Sequence, residues 1–108
     1  MSHLNSDGTI WLARGQKLLG EGPYRGRKIW AIRDRTRMGG VTYDEYFCCV
    51  ERGFVTKGDS IEELVANLRE LTNPEVRAFA DLLQAQEVAR IQKDFKRRIR
   101  TAAAVSAE

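Results

Sequence analysis

The sequence holds a single histidine, His3, close to its amino end. Acid, base or metal chemistry built on imidazole therefore has almost nothing to work with. Cysteine is nearly as scarce, and the two present, Cys48 and Cys49, stand side by side in the apolar run "YFCCV". Neighbouring residues on a strand point to opposite faces, so these thiols cannot close an ordinary disulfide. With no further Cys or His at ligand spacing, they also lack the pattern of a zinc site. Buried thiols in a reducing cytosol are the expectation. No apolar run approaches the roughly 20 residues of a membrane span, and "MSHLNSDGT" has neither the basic start nor the apolar middle of a signal peptide. The expected setting is cytoplasmic, without a membrane partner. Only 2 Pro and 9 Gly among 108 residues, beside 43% hydrophobic and 31% charged residues, exclude a fibrous or disordered chain. The length suits one domain with one core.

Catalytic patterns are missing as well. "GEGPYRG", Gly20 to Gly26, has the wrong glycine spacing for a nucleotide fingerprint, and a strand follows it where a helix is required. Asp44 and Glu45 are adjacent carboxylates at the start of a strand, the ordinary pattern of solvated turn charges. No Ser, Cys or Lys has an activating partner within view. The expectation is a protein that is not an enzyme and needs no cofactor.

What the sequence does have is charge sorted along its length. Residues 1–40 carry 8 Lys/Arg and 3 Asp/Glu, residues 41–89 carry 4 and 10, and residues 90–100 carry 6 and 1. Charge segregated in this way either steers an oppositely charged partner or draws one part of the fold to another.

Hydrophobic periodicity predicts an α+β fold: a small antiparallel β-sheet followed by a long C-terminal α-helix. Residues 1–8 read as a flexible start. The domain proper spans 9–73. "TIWL", Thr9 to Leu12, and "QKLL", Gln16 to Leu19, suggest two short strands about an "ARG" turn, and "GEGPYRG" a loop. "RKIWAIR", Arg27 to Arg33, sets Ile29 and Ala31 against Trp30 and Ile32, which suits a strand covered on both faces. "DRTRMGG" turns the chain, "EYFCCVE", Glu45 to Glu51, returns it, and "FVT" adds a third strand of a meander. Ser60 fits a helix N-cap with Glu63 at the third helical position, and Asp59 and Glu62 suit the positive end of the dipole. Ile61, Leu64, Val65, Leu68 and Leu71 then form one apolar stripe that must lie on the sheet.

"TNPE" starts a second helix, with Asn73 as cap and Pro74 at the first position, expected over 74–103 and followed by a flexible tail, 104–108. Its stripe changes direction. Val76, Phe79, Ala80 and Leu83 share one face, and Val88, Ile91, Phe95, Ile99 and Ala102 another, rotated by about a third of a turn at 3.6 residues per turn. The switch falls in "QAQE", Gln84 to Glu87. Such a helix needs either a bend there or two packing partners. The first half is expected on the core. The second half, with Val88, Ile91, Phe95 and Ile99 as an assembly face, is expected to meet a second copy in a homodimer or another protein.

Residues 53–67 resemble the HicB antitoxin family, in which a glycine leads through T-x-G-D-[ST]-x-E-E into a helix with an asparagine near its end. The matching positions are Gly53, Thr56, Gly58, Asp59, Ser60, Glu62, Glu63 and Asn67, and "KIWAIRD" and "EYFCCVE" stand where that family's first two strands stand. "ERG" occupies the place of the usual Pro-Asp-Leu-Pro-Gly, and Leu64 that of a common alanine. The resemblance covers residues 28–71. It implies a β-β-β-α unit, bacterial or carried on a mobile element, that masks a small RNA-cleaving toxin. A phage-encoded inhibitor of a host defence system fits the same features. The DNA-binding module that usually follows in the family has no counterpart here, since residues 74–108 show neither a helix-turn-helix nor a ribbon-helix-helix pattern.

A different partner is suggested by "RIQKDFKRRIR". On a helical projection Arg90, Lys93, Lys96, Arg97 and Arg100 gather opposite the second apolar stripe, and Arg33, Arg35 and Arg37 make a second basic spot in the "RDRTR" turn. Together these eight residues are the candidate binding surface for a partner or for nucleic-acid phosphates. A solvated charged face explains each spot taken alone. Adjacency of the two spots in space would favour RNA or DNA.

Overall fold

The computed structural model describes residues 3–106, and the side-chain environments of 4–100. Six strands and two helices follow in the order β1 (His3–Leu4), β2 (Ile10–Trp11), β3 (Gln16–Tyr24), β4 (Arg27–Met38), β5 (Val41–Val50), β6 (Gly53–Gly58), α1 (Ile61–Arg69) and α2 (Pro74–Ser106). Strands β3 to β6 form a four-stranded antiparallel meander, and β1 pairs with β2 in a separate ribbon. The α+β architecture with a long C-terminal helix is therefore present.

The amino-terminal third differs from expectation. Ile10–Trp11 pairs with His3–Leu4, within the start expected to be loose, and not with Gln16 to Leu19. The glycine-rich stretch expected as a loop is mostly strand: β3 continues through Gly20, Gly22 and Pro23 to Tyr24, and only Arg25 and Gly26 turn. Both adopt positive φ, 50° and 76°, as a type I′ hairpin requires. The glycines are there for space. A Cβ on Gly20 would stand 3.0 Å from Gln86 Oε1, and one on Gly22 3.2 Å from Phe79 Cδ1, so this stretch is bare where α2 crosses it. Pro23 lies on the edge strand, the position in a sheet that tolerates a missing N–H.

"DRTRMGG" is likewise strand as far as Met38, with Gly39 and Gly40 at positive φ forming a second two-residue turn. The β4–β5 ladder therefore runs past β3, whose register ends at Asp34, and past β6, whose register ends at Tyr46. Residues 35–45 form a projecting two-stranded arm.

Strand β4 is the centre of the fold. Ile29, Trp30, Ala31 and Ile32 are all buried, and they divide between two cores. Ile29, Ala31 and Cys48 face the helices and pack with Leu64, Val65, Leu68, Val76, Phe79, Ala80 and Leu83. Trp30, Ile32 and Cys49 face the other way, under Leu4, Ile10, Leu12, Leu18 and Phe47. The β1–β2 ribbon is thus the lid of the second core. At roughly 1.5–3 kcal/mol for each fully buried large side chain, both faces matter to stability.

The joint between β6 and α1 is as expected at its cap. Ser60 accepts a hydrogen bond from the Glu63 N–H at 3.1 Å. Asn67 Nδ2 donates to the Lys57 carbonyl at 2.8 Å, tying the helix back to the edge strand. Gly58 is buried, and a Cβ there would lie 2.7 Å from the Leu64 nitrogen. The Asn73 side chain caps α2, accepting from the Glu75 and Val76 N–H groups at 2.8 and 3.2 Å. Leu71, placed on the first stripe by periodicity, lies beyond the end of α1 and is exposed.

Gly58→Ala should destabilise the protein by about 1–3 kcal/mol, because the clash is with backbone and cannot relax by a side-chain rotation. Chemical denaturation checks this, with Gly26→Ala as comparison, where a positive φ is strained but no atom lies near. The two thiols lie in opposite cores as free, buried cysteines, and burial pushes both above the ordinary thiol range. Labelling by an aromatic disulfide reagent at pH 8 should accordingly be at least about 100-fold slower in the native protein than in denaturant.

Candidate functional site

Helix α2 runs unbroken over 33 residues, about 50 Å at 1.5 Å per residue. Its first half fills the core through Val76, Phe79, Ala80 and Leu83. From Gln84 to Arg100 no residue is buried. The helix outruns the body of the domain, and the longest dimension of the molecule reaches 56 Å.

The expected assembly face is open on this projecting half. Val88 is 46% exposed, Ile91 48%, Phe95 63% and Ile99 51%. These four recur at helical spacing and lie far from the sheet-facing side that carries Leu83. They are the longest row of large apolar side chains left in solvent on one element of the described residues. A second exposed group, Met38, Val41 and Tyr43, sits on the projecting β-arm, on the face opposite its arginines.

The eight candidate basic residues fall into three settings. Lys93, Lys96, Arg97 and Arg100 line a depression on the outer half of α2 together with Asp94. Arg90 is clamped by Glu87, at 2.6 Å, and by Asp94, at 3.3 Å; Asp94 also receives Arg97 at 3.2 Å. Arg33, Arg35 and Arg37 share one face of β4, the face toward the helices, because they continue the alternation of Ile29 and Ala31. Arg35 forms a two-pronged ion pair with Asp44, directly opposite on β5, at 2.8 and 3.0 Å. That hydrogen-bonded guanidinium holds the Asp44 carboxyl below its ordinary value, with Arg33 a further contribution. Asp44 is thus a cross-strand ion-pair partner, where a solvated turn charge was expected.

The two basic spots do meet, in part. Arg33 and Arg35 from β4 line the same groove as Arg90 from α2, a cleft of about 600 Å³ between the sheet and the underside of the helix. Lys17 of β3 and Tyr46 of β5 complete its polar wall, while Leu18, Leu19 and Leu83 give it an apolar part. Arg37 lies further along the arm, and Lys93, Lys96 and Arg100 line the separate depression. Lys17 and Tyr46 were not foreseen as site residues. Their signal in the sequence is only their register opposite Arg33, which becomes visible once β3 is known to pair with β4.

No group of three or more His, Cys, Asp or Glu side chains able to hold a metal ion occurs among the described residues, and no helix there is long and apolar enough to cross a membrane. Comparison with protein-family models, with curated proteins and with solved structures finds no match to this chain.

Because its charged form is the hydrogen-bonded one, Asp44 adds stability above its unfolded pKa and loses it as pH falls through the lower folded value. A carbon-detected NMR titration should place the Asp44 carboxyl midpoint below that of an unpaired aspartate. Arg35→Met should return it toward the ordinary value.

Proposed function

We propose that this chain is a non-catalytic binding module that masks a partner protein, docking through the projecting half of α2. The observation that carries the reading is the exposed row Val88, Ile91, Phe95 and Ile99 on a helix that has already left its own core. A solvated helix gains nothing from four large apolar side chains in register, whereas a helix that enters a groove or a bundle uses such anchors at this spacing. The HicB-like strand, turn and helix, Gly53 to Asn67, supports an inhibitor of bacterial or mobile-element origin, either an antitoxin or a phage product acting on a host defence system. In this reading the β-sheet body is the scaffold and α2 the reach.

A second reading, a nucleic-acid-binding accessory protein, is favoured by the groove in which Arg33 and Arg35 meet Arg90. Against it stand the carboxylates. Asp44, Glu87 and Asp94 already hold three of the eight candidate basic residues in ion pairs, so fewer cations are free to displace counterions from phosphates.

The test is a tagged pull-down from the native host, with one half treated with nuclease, using wild-type protein, Phe95→Asp and the double variant Arg97→Ala, Arg100→Ala. A discrete protein retained after nuclease by wild type and by the arginine variant, and reduced at least about tenfold by Phe95→Asp, is the expected outcome. Nucleic acid recovered only from the untreated half, and lost with the arginine variant, would establish the second reading. Light scattering at micromolar concentration reports whether the row also joins two copies: a dimer that Phe95→Asp converts to a monomer assigns it to self-assembly.

A further inference from the structure

The groove between the sheet and α2 contains a charge arrangement that the fold itself does not need. Lys17 and Arg33 are directly opposite each other on β3 and β4, and both line the groove. Like charges directly opposite on one face of an antiparallel pair are destabilising. Asp44, whose charge reaches Arg33, accepts its hydrogen bonds from Arg35, and Glu87 is paired with Arg90. Arg33 Nε is buried and has no hydrogen-bond partner. A buried donor left unsatisfied costs about 1–3 kcal/mol, so its persistence asks for an explanation.

The surroundings supply one. Arg35 and Arg90 are each held in place by their carboxylates, which fixes two more guanidinium groups around the same space while leaving some of their N–H donors uncommitted. At about 600 Å³ the cleft is within the range that takes small ligands, and Tyr46, opposite Arg33 on β5, places a phenol on its wall. Glu62 is the one carboxylate on the lining without an ion pair among the described residues, and it is exposed.

We propose that this groove is an oxyanion site for a phosphate group, with Arg33 and Lys17 as its principal charges and Arg35 and Arg90 as pre-set flanking donors. A tetrahedral dianion between Lys17 and Arg33 relieves their repulsion, and guanidinium groups bind phosphate through paired N–H donors. The phosphate belongs either to a small phosphorylated molecule or to the backbone of a nucleic acid. The site stands independently of the docking role of α2, because the apolar row and the groove lie on different sides of that helix.

The test uses inorganic phosphate on the whole chain at low salt, with chloride at matched ionic strength as control, followed by amide chemical shifts. Saturable shifts with phosphate alone, centred on Lys17, Arg33, Tyr46 and Arg90, are the expected result, with binding at least tenfold weaker in Arg33→Met. Lys17→Met provides a second variant should Arg33→Met fail to fold, and it should also weaken binding and raise stability in the absence of phosphate. Equal responses to phosphate and chloride, shifts centred on Lys93 to Arg100, or unchanged phosphate affinity in both variants would overturn the assignment. A single-stranded oligonucleotide that displaces the phosphate, with loss in the same variants, identifies the polymer backbone as the source. Phosphate binding that the oligonucleotide leaves in place identifies a small molecule.

Discussion

The structure depends on one strand being buried on both faces. Ile29, Trp30, Ala31 and Ile32 are consecutive and all inaccessible, so β4 is stable only if something covers each side of the sheet. Everything else follows from how the two sides are met. The helix side is covered by α1 and the first half of α2, and the close seating of α2 is what Gly20 and Gly22 permit on β3. The other side has no helix, and the β1–β2 ribbon with Leu12 and Leu18 closes it. Leu4, Ile10 and Leu12 are therefore part of what holds the sheet together.

This demand also accounts in local terms for the residues from Gly53 to Asn67. Gly58 lets the helix start against the strand, Ser60 satisfies a free backbone donor, and the amide of Asn67 ties the helix to the Lys57 carbonyl. Three of the motif's positions are consumed by the joint between β6 and α1. A motif made of such residues specifies a strand, a tight turn and a packed helix whatever the protein binds. It therefore supports an architecture more strongly than a role.

What was legible in the sequence is what local chemistry controls. The alternation at Ile29 to Ile32, the cap at Ser60, the restart at Asn73 and Pro74 and the rotation of the stripe after Leu83 all rest on neighbours within a few residues, and each appears in the structure. The amino-terminal pairing was not legible. Glycine and proline normally punctuate, but in "GEGPY" they sit on an edge strand, where a missing donor is tolerated and where an approaching helix leaves no room for side chains. That reason lies about sixty residues away in sequence, at Phe79, Leu83 and Gln86. The same non-locality hid Lys17 and Tyr46 from the candidate site, since only strand register brings them to Arg33.

The two surfaces left over divide along the same helix, and the division follows from its geometry. The core-facing side of α2 runs on past Leu83 as Gln86, Glu87 and Arg90, polar residues that overhang the sheet and roof the groove. The apolar side after the switch begins at Val88 and faces away from it. Had the first stripe simply continued, α2 would have stayed on the sheet, the groove would be filled and no apolar row would be exposed. Rotating the stripe by about a third of a turn at Gln84 to Glu87 leaves a polar cleft on one side and an apolar ridge on the other. A helix that served only to complete the core would end near Leu83; residues 84–100 of α2 run on with no buried side chain, the cleft on one side and the apolar row on the other.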